Sequence, residues 1–208
     1  MSGFEIKNLA NPLYFEENVL PPHSDHKYYG SEAELASGCS SFKYSLNGLW
    51  HIHVARNLAE RPEGFEASDY DCRHWDTIAV PAHIQMEGYG KPHYTNTTYP
   101  WDGHEAIVPG ELPQENTVAS YVKYFAVPEG WQDVRISFQG AETALAVWLN
   151  GHFVGYSEDS FTPSDFDLTP YVQAGENKLA VQVFRFASGS YLEDQDFWRF
   201  SGLFRGVY

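Results

Sequence analysis

Alternating apolar and polar positions dominate the second half of the chain and predict strands. Val134-Arg135-Ile136-Ser137-Phe138 alternates strictly, the period-two signature of a strand with one buried face. Ala119 to Val127 reads as a longer strand, stopped by Pro128-Glu129-Gly130. Leu145 to Leu149 and His152 to Tyr156 flank Asn150-Gly151. That dipeptide predicts a hairpin, because both turn residues need positive φ and Asn and Gly tolerate it best. After a turn at Gly175-Glu176-Asn177, Leu179, Val181 and Val183 share one face of another strand, with Lys178 and Gln182 on the other. Ser157-Glu158-Asp159-Ser160 and Asp165-Phe166-Asp167 read as solvated acidic turns.

The first half is less regular. Asn47-Gly48 signals a turn and Leu49 to Val54 a strand. Arg61 to Trp75 is turn-rich and has room for a short helical turn. Thr77 to Val80 reads as a short strand stopped by Pro81. His83 to Pro113 is mostly loop, with Gly88, Gly90, Pro92, Pro100, Gly103, Pro109 and Gly110. A loop of that length inside a compact domain is commonly functional, and Tyr89, Tyr94, Tyr99 and Trp101 argue that it is ordered. Residues 1–42 form an irregular polar arm laid over the domain surface, marked by Asn11-Pro12 and Pro21-Pro22. No segment sustains a 3.6-residue period. Many short strands between Gly/Pro turns predict an all-β sandwich or jelly roll over 43–208.

Composition narrows the function. A chain of 208 residues buries roughly 70% of its unfolded surface and needs no covalent staple. Cys39 and Cys72 give no disulfide framework; two free thiols are expected, with a single bridge as the alternative. The net charge of −15, from 28 acids against 13 bases, excludes nucleic acid as a partner. No apolar run is long enough to span a membrane. The start lacks a basic segment followed by an apolar one, so a cytoplasmic location is expected. Aromatics make up 16% of the chain; most suit a β core, and such rings also suit sugar binding, where a face packs on C–H surfaces.

Candidate chemistry concentrates in Gly189-Ser190-Tyr191-Leu192-Glu193-Asp194-Gln195-Asp196-Phe197-Trp198-Arg199. Tyr191, Phe197 and Trp198 are expected to hold this backbone against a core and so fix its acids at the rim. A fixed acid there binds a sugar hydroxyl or a hard cation; the alternative is an acidic surface loop. Asp194 and Asp196 lie on one side of an extended segment, whereas a glycosidase needs carboxylates on both sides of the scissile bond. Binding is therefore the better use of the pair, with Asp194 the more suited of the two to an ion pair with Arg185 or Arg199. His51 and His53 share a strand face but lack a third ligand for a metal. Neither cysteine sits beside a base, and no phosphate-cradling glycine loop is present.

A set of motifs in one order carries a resemblance. It runs from Ser45-Leu46-Asn47-Gly48-Leu49-Trp50 through Val80 to Gly90 and Tyr94-Thr95-Asn96-Thr97-Thr98-Tyr99-Pro100. It continues through Trp148-Leu149-Asn150-Gly151, Val154-Gly155-Tyr156-Ser157 and Phe166-Asp167-Leu168-Thr169, and ends at Gly189 to Arg199 and Ser201-Gly202-Leu203-Phe204-Arg205. The chain resembles the N-terminal sugar-binding domain of family 2 glycoside hydrolases of the β-galactosidase type from about Phe15 onward. The resemblance implies a galactose-binding-domain-like jelly roll at the head of a longer enzyme. An immunoglobulin-like domain and a TIM barrel would follow it, and the barrel would carry the two glutamates of a retaining mechanism. It implies that Asn96 and Asp196 contact galactose hydroxyls of β-galactosides such as lactose, and that Asp196 also binds sodium, a site completed by the barrel. It further implies magnesium in the complete enzyme, contacts with the rest of the same polypeptide, and a homo-oligomer. Two departures stand out. Ser188 replaces an aspartate that some members link to a second metal, and Ala82-His83 replaces a serine and asparagine after Pro81. A stand-alone carbohydrate-binding module and a purely structural assembly domain are the competing readings.

Overall fold

A computed structural model describes residues 3–24, 26–193 and 195–208. The strands are β1 (Glu16–Glu17), β2 (Gly48–Ala55), β3 (Asp76–Val80), β4 (His93–Thr95), β5 (Val118–Ala126), β6 (Arg135–Phe138), β7 (Ala144–Leu149), β8 (His152–Glu158), β9 (Ser164–Asp167), β10 (Glu176–Phe184) and β11 (Phe197–Arg199). One short helix, α1 (Glu32–Ser37), starts at Ser31, whose hydroxyl accepts from the Glu34 amide, and stops at Gly38 with φ 72°. None of the described helices is long and apolar enough to cross a membrane.

Seven strands form one antiparallel sheet in the order β1-β8-β7-β10-β5-β2-β3. Its two faces build two cores, because alternate side chains leave a strand on opposite sides. Leu145, Val147, Leu149, Val181 and Val183 meet Ile136, Phe138 and Phe166 of the smaller β6–β9 pair. This is the β-sandwich expected from the alternation. Ala144, Ala146, Trp148, Val122 and Phe184 point the other way, under Leu9, Phe65 and Cys72. That second face is covered by the N-terminal segment and the loop before β3 rather than by a sheet.

The hairpin forms at Asn150-Gly151, with φ 52° and 82°. Gly155 is required by a close approach: a Cβ there would sit 2.5 Å from the Phe166 ring and 2.6 Å from the Glu17 carbonyl. The N-terminal segment joins the sheet through β1. The Glu158 amide donates to Phe15 O at 2.8 Å, and Tyr14 stacks on Tyr156 with centroids 5.2 Å apart.

Several turns expected to be solvated belong to the core. Asp165 and Phe166 are buried in β9, and Asp165 accepts from His23 Nε2 at 2.7 Å. Glu158 ends β8 and is buried. Short apolar–acid alternation reads as a turn only while its partner strand is unknown. Residues 61–75 form turns without a helical segment, and the loop 83–113 contains a 3-10 turn, Ile84–Glu87, and β4. Lys178 and Gln182 do face away from Leu179, yet that face is dry. Lys178 Nζ donates to the carbonyls of Phe65, Ala67 and Tyr70 at 2.6, 2.7 and 2.6 Å, which satisfies all three ammonium protons. Both cysteines are free, Cys39 exposed and Cys72 buried.

Candidate functional site: a two-stranded ribbon at the end of the sheet

The ends of β8 and β10 and the starts of β5 and β7 lie at one end of the large sheet, as the pairings of Phe184 with Val118 and Ala144, and of Ala144 with Glu158, require. There the chain forms a ribbon from β4 and β11, with Tyr94 opposite Trp198 and Thr95 opposite Phe197. Both strands are rich in the aromatic and β-branched residues that suit a pleated surface. Asn96 and Asp196 flank the paired ends of the ribbon, just beyond the Thr95–Phe197 pair.

The ribbon has two unlike faces. Thr95 and Arg199 are buried, while Tyr94, Asn96, Asp196 and Trp198 are exposed. On the inner face Arg199 ties the ribbon together. Its Nη1 donates to Glu193 O and its Nη2 to Gln195 O, both at 2.8 Å, and its Nε reaches Thr95 Oγ1 at 3.3 Å. The guanidinium also lies 4.2 Å from the Phe197 ring centroid. Arg199 therefore fixes the backbone just before Asp196. It leaves the Asp196 carboxylate on the outer face, where Tyr94 Oη donates to Oδ1 at 2.6 Å. That bond holds the Tyr94 phenol above its ordinary pKa. Asn96 Oδ1 accepts from Thr97 Oγ1 at 3.4 Å.

Asn96 and Asp196 are both exposed, each next to the Thr95–Phe197 pair that ends the ribbon. Asp194 lies outside the described residues. Glu193 has a structural role: its two carboxylate oxygens accept from Ser160 N and Ser160 Oγ, each at 2.7 Å, and burial raises its pKa. The expected anchoring aromatics need correction. Phe197 is half-buried and Tyr191 packs on Trp101 at 4.9 Å, but Trp198 is 52% exposed. An outward residue of a two-stranded ribbon has nothing beneath it to be buried in. Tyr94 and Trp198 form this face from two three-residue strands, which are too short to read before they are known to pair.

Beneath the ribbon, Glu142, Arg185, Ser190 and Arg199 line a narrow cleft. Burial pushes the Glu142 carboxyl up to about 7, against a lowering hydrogen bond from Phe200 N. His83 fills the space beside it. Its ring stacks on Phe204 at 5.0 Å and meets Phe200 at a tilt at 4.5 Å, with Nδ1 3.9 Å from Glu142 Oε2, and burial lowers its pKa. His51 and His53 make separate ring contacts, with Tyr124 and Trp75.

Metal-binding capacity differs between two acids of this end. Glu158 accepts from Tyr156 Oη at 2.6 Å and from Ser188 Oγ at 2.9 Å, and also from Gly189 N. Ser188 therefore supplies a donor where an aspartate would supply a ligand. A buried carboxylate filled by three protein donors does not fit a divalent cation. Asp196 is exposed and spends one oxygen on Tyr94, so it fits a hard cation as a single ligand. No cluster of three or more His, Cys, Asp or Glu suited to a metal occurs among the described residues.

Residues 43–208 match the family description "Glycosyl hydrolases family 2, sugar binding domain". A β-galactosidase of Halalkalibacterium halodurans is 57% identical over 198 residues, covering 93% of this chain and 20% of that protein. The β-galactosidase large subunit of Leuconostoc lactis is 49% identical, covering 96% of this chain and 34% of that protein. The chain thus spans a fifth to a third of the length of these relatives. Among solved structures, a β-glycosidase from Bacteroides vulgatus aligns at 26% identity with TM-score 0.55, over 79% of this chain and 19% of that one. A β-glucuronidase of Bacteroides uniformis, at 21% identity and TM-score 0.58 over 79% and 17%, shares the fold.

Proposed function

The chain belongs to the glycosyl hydrolase family 2 sugar-binding domains, and on that premise we propose that it serves a longer β-galactosidase by holding the galactosyl unit of β-galactosides such as lactose. One observation supports this most directly: Tyr94 donates to Asp196 across 102 residues of chain, on an exposed face, and the exposed Asn96 lies two residues beyond Tyr94. Their chemistry suits a sugar. The Asn96 amide can donate and accept, and the Asp196 carboxylate accepts from hydroxyls. The Tyr94 hydrogen bond restrains that carboxylate before substrate arrives, which lowers the ordering cost of binding.

In this reading the bond-breaking groups lie on parts of the polypeptide outside this chain, which by itself does not hydrolyse galactosides. Asp196 would also hold sodium, with its other ligands supplied from the rest of the polypeptide; the ion when bound orients sugar oxygens. Magnesium, if the complete enzyme uses it, takes ligands other than the saturated Glu158. A jelly-roll strand order, a cytoplasmic location and a homo-oligomeric parent belong to the same proposal.

The test is Asp196→Ala in the full-length polypeptide. The expected result is a loss of kcat/KM for lactose of roughly 10–100-fold, the worth of one charge-assisted hydrogen bond, together with loss of sodium dependence. Parent-like kinetics would overturn the assignment and favour an assembly role for this domain.

A further inference from the structure

A buried acid sits where the ribbon leaves the body of the fold. Ser201 and Gly202, just past β11, are fixed to that body. Ser201 N donates to Gln85 Oε1 at 3.0 Å and Ser201 Oγ to Glu142 O at 3.1 Å. Gly202 and Glu142 exchange backbone bonds at 3.2 and 3.3 Å. Phe200, one residue nearer the ribbon, donates its amide to Glu142 Oε1 at 3.3 Å. The surroundings of Glu142 neutralise it poorly. Its ion-pair contact among the described residues is with His83 Nδ1 at 3.9 Å, and burial favours the uncharged form of that ring. Arg185, after β10, and Arg199, on β11, favour the ionised acid. Glu193 opposes it, and burial outweighs the arginines. Arg185 Nε and His83 Nδ1 are buried without a hydrogen-bond partner, so the cleft already holds polar groups that water would satisfy.

The two walls of the cleft differ in stiffness. Glu142, Thr143 and Arg185 are stitched to the large sheet: Thr143 N donates to Phe184 O at 2.9 Å, and Arg185 N to Thr117 O at 3.0 Å. Phe197, Arg199 and Phe200 form the other wall, backed by two three-residue strands. An ionised carboxylate without a close counter-charge needs water, and the ribbon is the wall that yields at lower cost. Resting on the sugar-binding reading above, we propose that Glu142 is a positioning residue for Asp196: its neutral carboxyl seats the ribbon on the sheet, and its ionisation admits water to the cleft, lifts the ribbon about Phe200 and carries the sugar ligand out of place. The seated form holds the proton up to about pH 7, whereas an opened cleft holds it only in the ordinary carboxylate range. Protons therefore favour the seated form, and the ratio of lifted to seated ribbon grows about tenfold from pH 6 to pH 8. Glu142 touches no substrate and takes no part in the chemical step.

The experiment measures amide hydrogen exchange, corrected for the intrinsic effect of pH, together with KM for lactose at pH 6 and pH 8. It uses the full-length polypeptide as parent and as Glu142→Gln, which keeps an acceptor for Phe200 N but cannot ionise. In the parent, amides of β4 and β11 should exchange about tenfold faster at pH 8 while those of β7 and β10 do not change. KM should rise by up to about tenfold over the same interval relative to Glu142→Gln. In Glu142→Gln both pH effects should vanish, with KM at pH 6 close to the parent's. Ribbon exchange that ignores pH, or that follows it equally in Glu142→Gln, would overturn the proposal. So would a ribbon that loosens while KM stays level, provided Asp196→Ala impairs turnover. If Asp196→Ala keeps parent-like kinetics, the sugar-binding reading falls, and the Glu142 control of the ribbon stands on the exchange data alone.

Discussion

Glu158 and Asp196 are both acids at the same end of the fold, and their surroundings make them opposites. Glu158 ends a strand of the seven-stranded sheet and is covered by the N-terminal segment. Tyr156, Ser188 and Gly189 fill its oxygens. Asp196 precedes a three-residue strand of the ribbon and meets one donor, Tyr94. A sheet buried on both faces must satisfy every polar group it holds, since an orphan costs about 1–3 kcal/mol. A ribbon on the rim can leave polar groups to water, and those are the groups a ligand can claim. In the proposed reading, stability and recognition are thus divided between the two regions.

That division can be broken at its strongest point first. Lys178→Met keeps the side-chain length but removes the donor to three carbonyls. We expect a loss of about 3–5 kcal/mol in urea denaturation; a loss below about 1 kcal/mol would mean that the sheet tolerates unsatisfied groups after all. Glu142→Gln comes next. In the folded protein burial holds Glu142 up to about 7, while in the unfolded chain it ionises in the ordinary carboxylate range. The folded state therefore binds more protons between these values, and stability is lost as pH rises through about 7. The variant should melt with the parent at pH 4 and gain about 3 kcal/mol over it above pH 8; parallel melting curves across pH would remove Glu142 from the account. The smallest stability effect belongs to the ribbon: Asp196→Asn should leave the urea midpoint of the chain unchanged, and a clear shift would show that the rim carries structural load.

How much could be read beforehand follows the same division. The hairpin at Asn150-Gly151 and the strands around Ile136 and Val181 were legible because alternation and turn chemistry are local. Asn96 and Asp196 were singled out by the motifs around them, and both are exposed. The dryness of Lys178 was not, because it depends on a loop 108–113 residues earlier folding over β10. Asp165 and Glu158 were hidden for the same reason, their burial being supplied by residues near the N-terminus. The exposure of Trp198 was missed because an aromatic residue in sequence says nothing about whether a second layer lies beneath it.

The Lys178 ammonium has a consequence for how the molecule opens. A surface turn ordinarily frays by itself, but the carbonyls of Phe65, Ala67 and Tyr70 converge on one charge rooted in the middle strands of the sheet. Releasing the turn would strand a cation in an apolar layer, so local opening costs nearly as much as opening the sheet. A protease offered this glycine-containing turn should therefore cut it at the rate of global unfolding, while the turn at Gly130, which has no such anchor, is nicked from the native state.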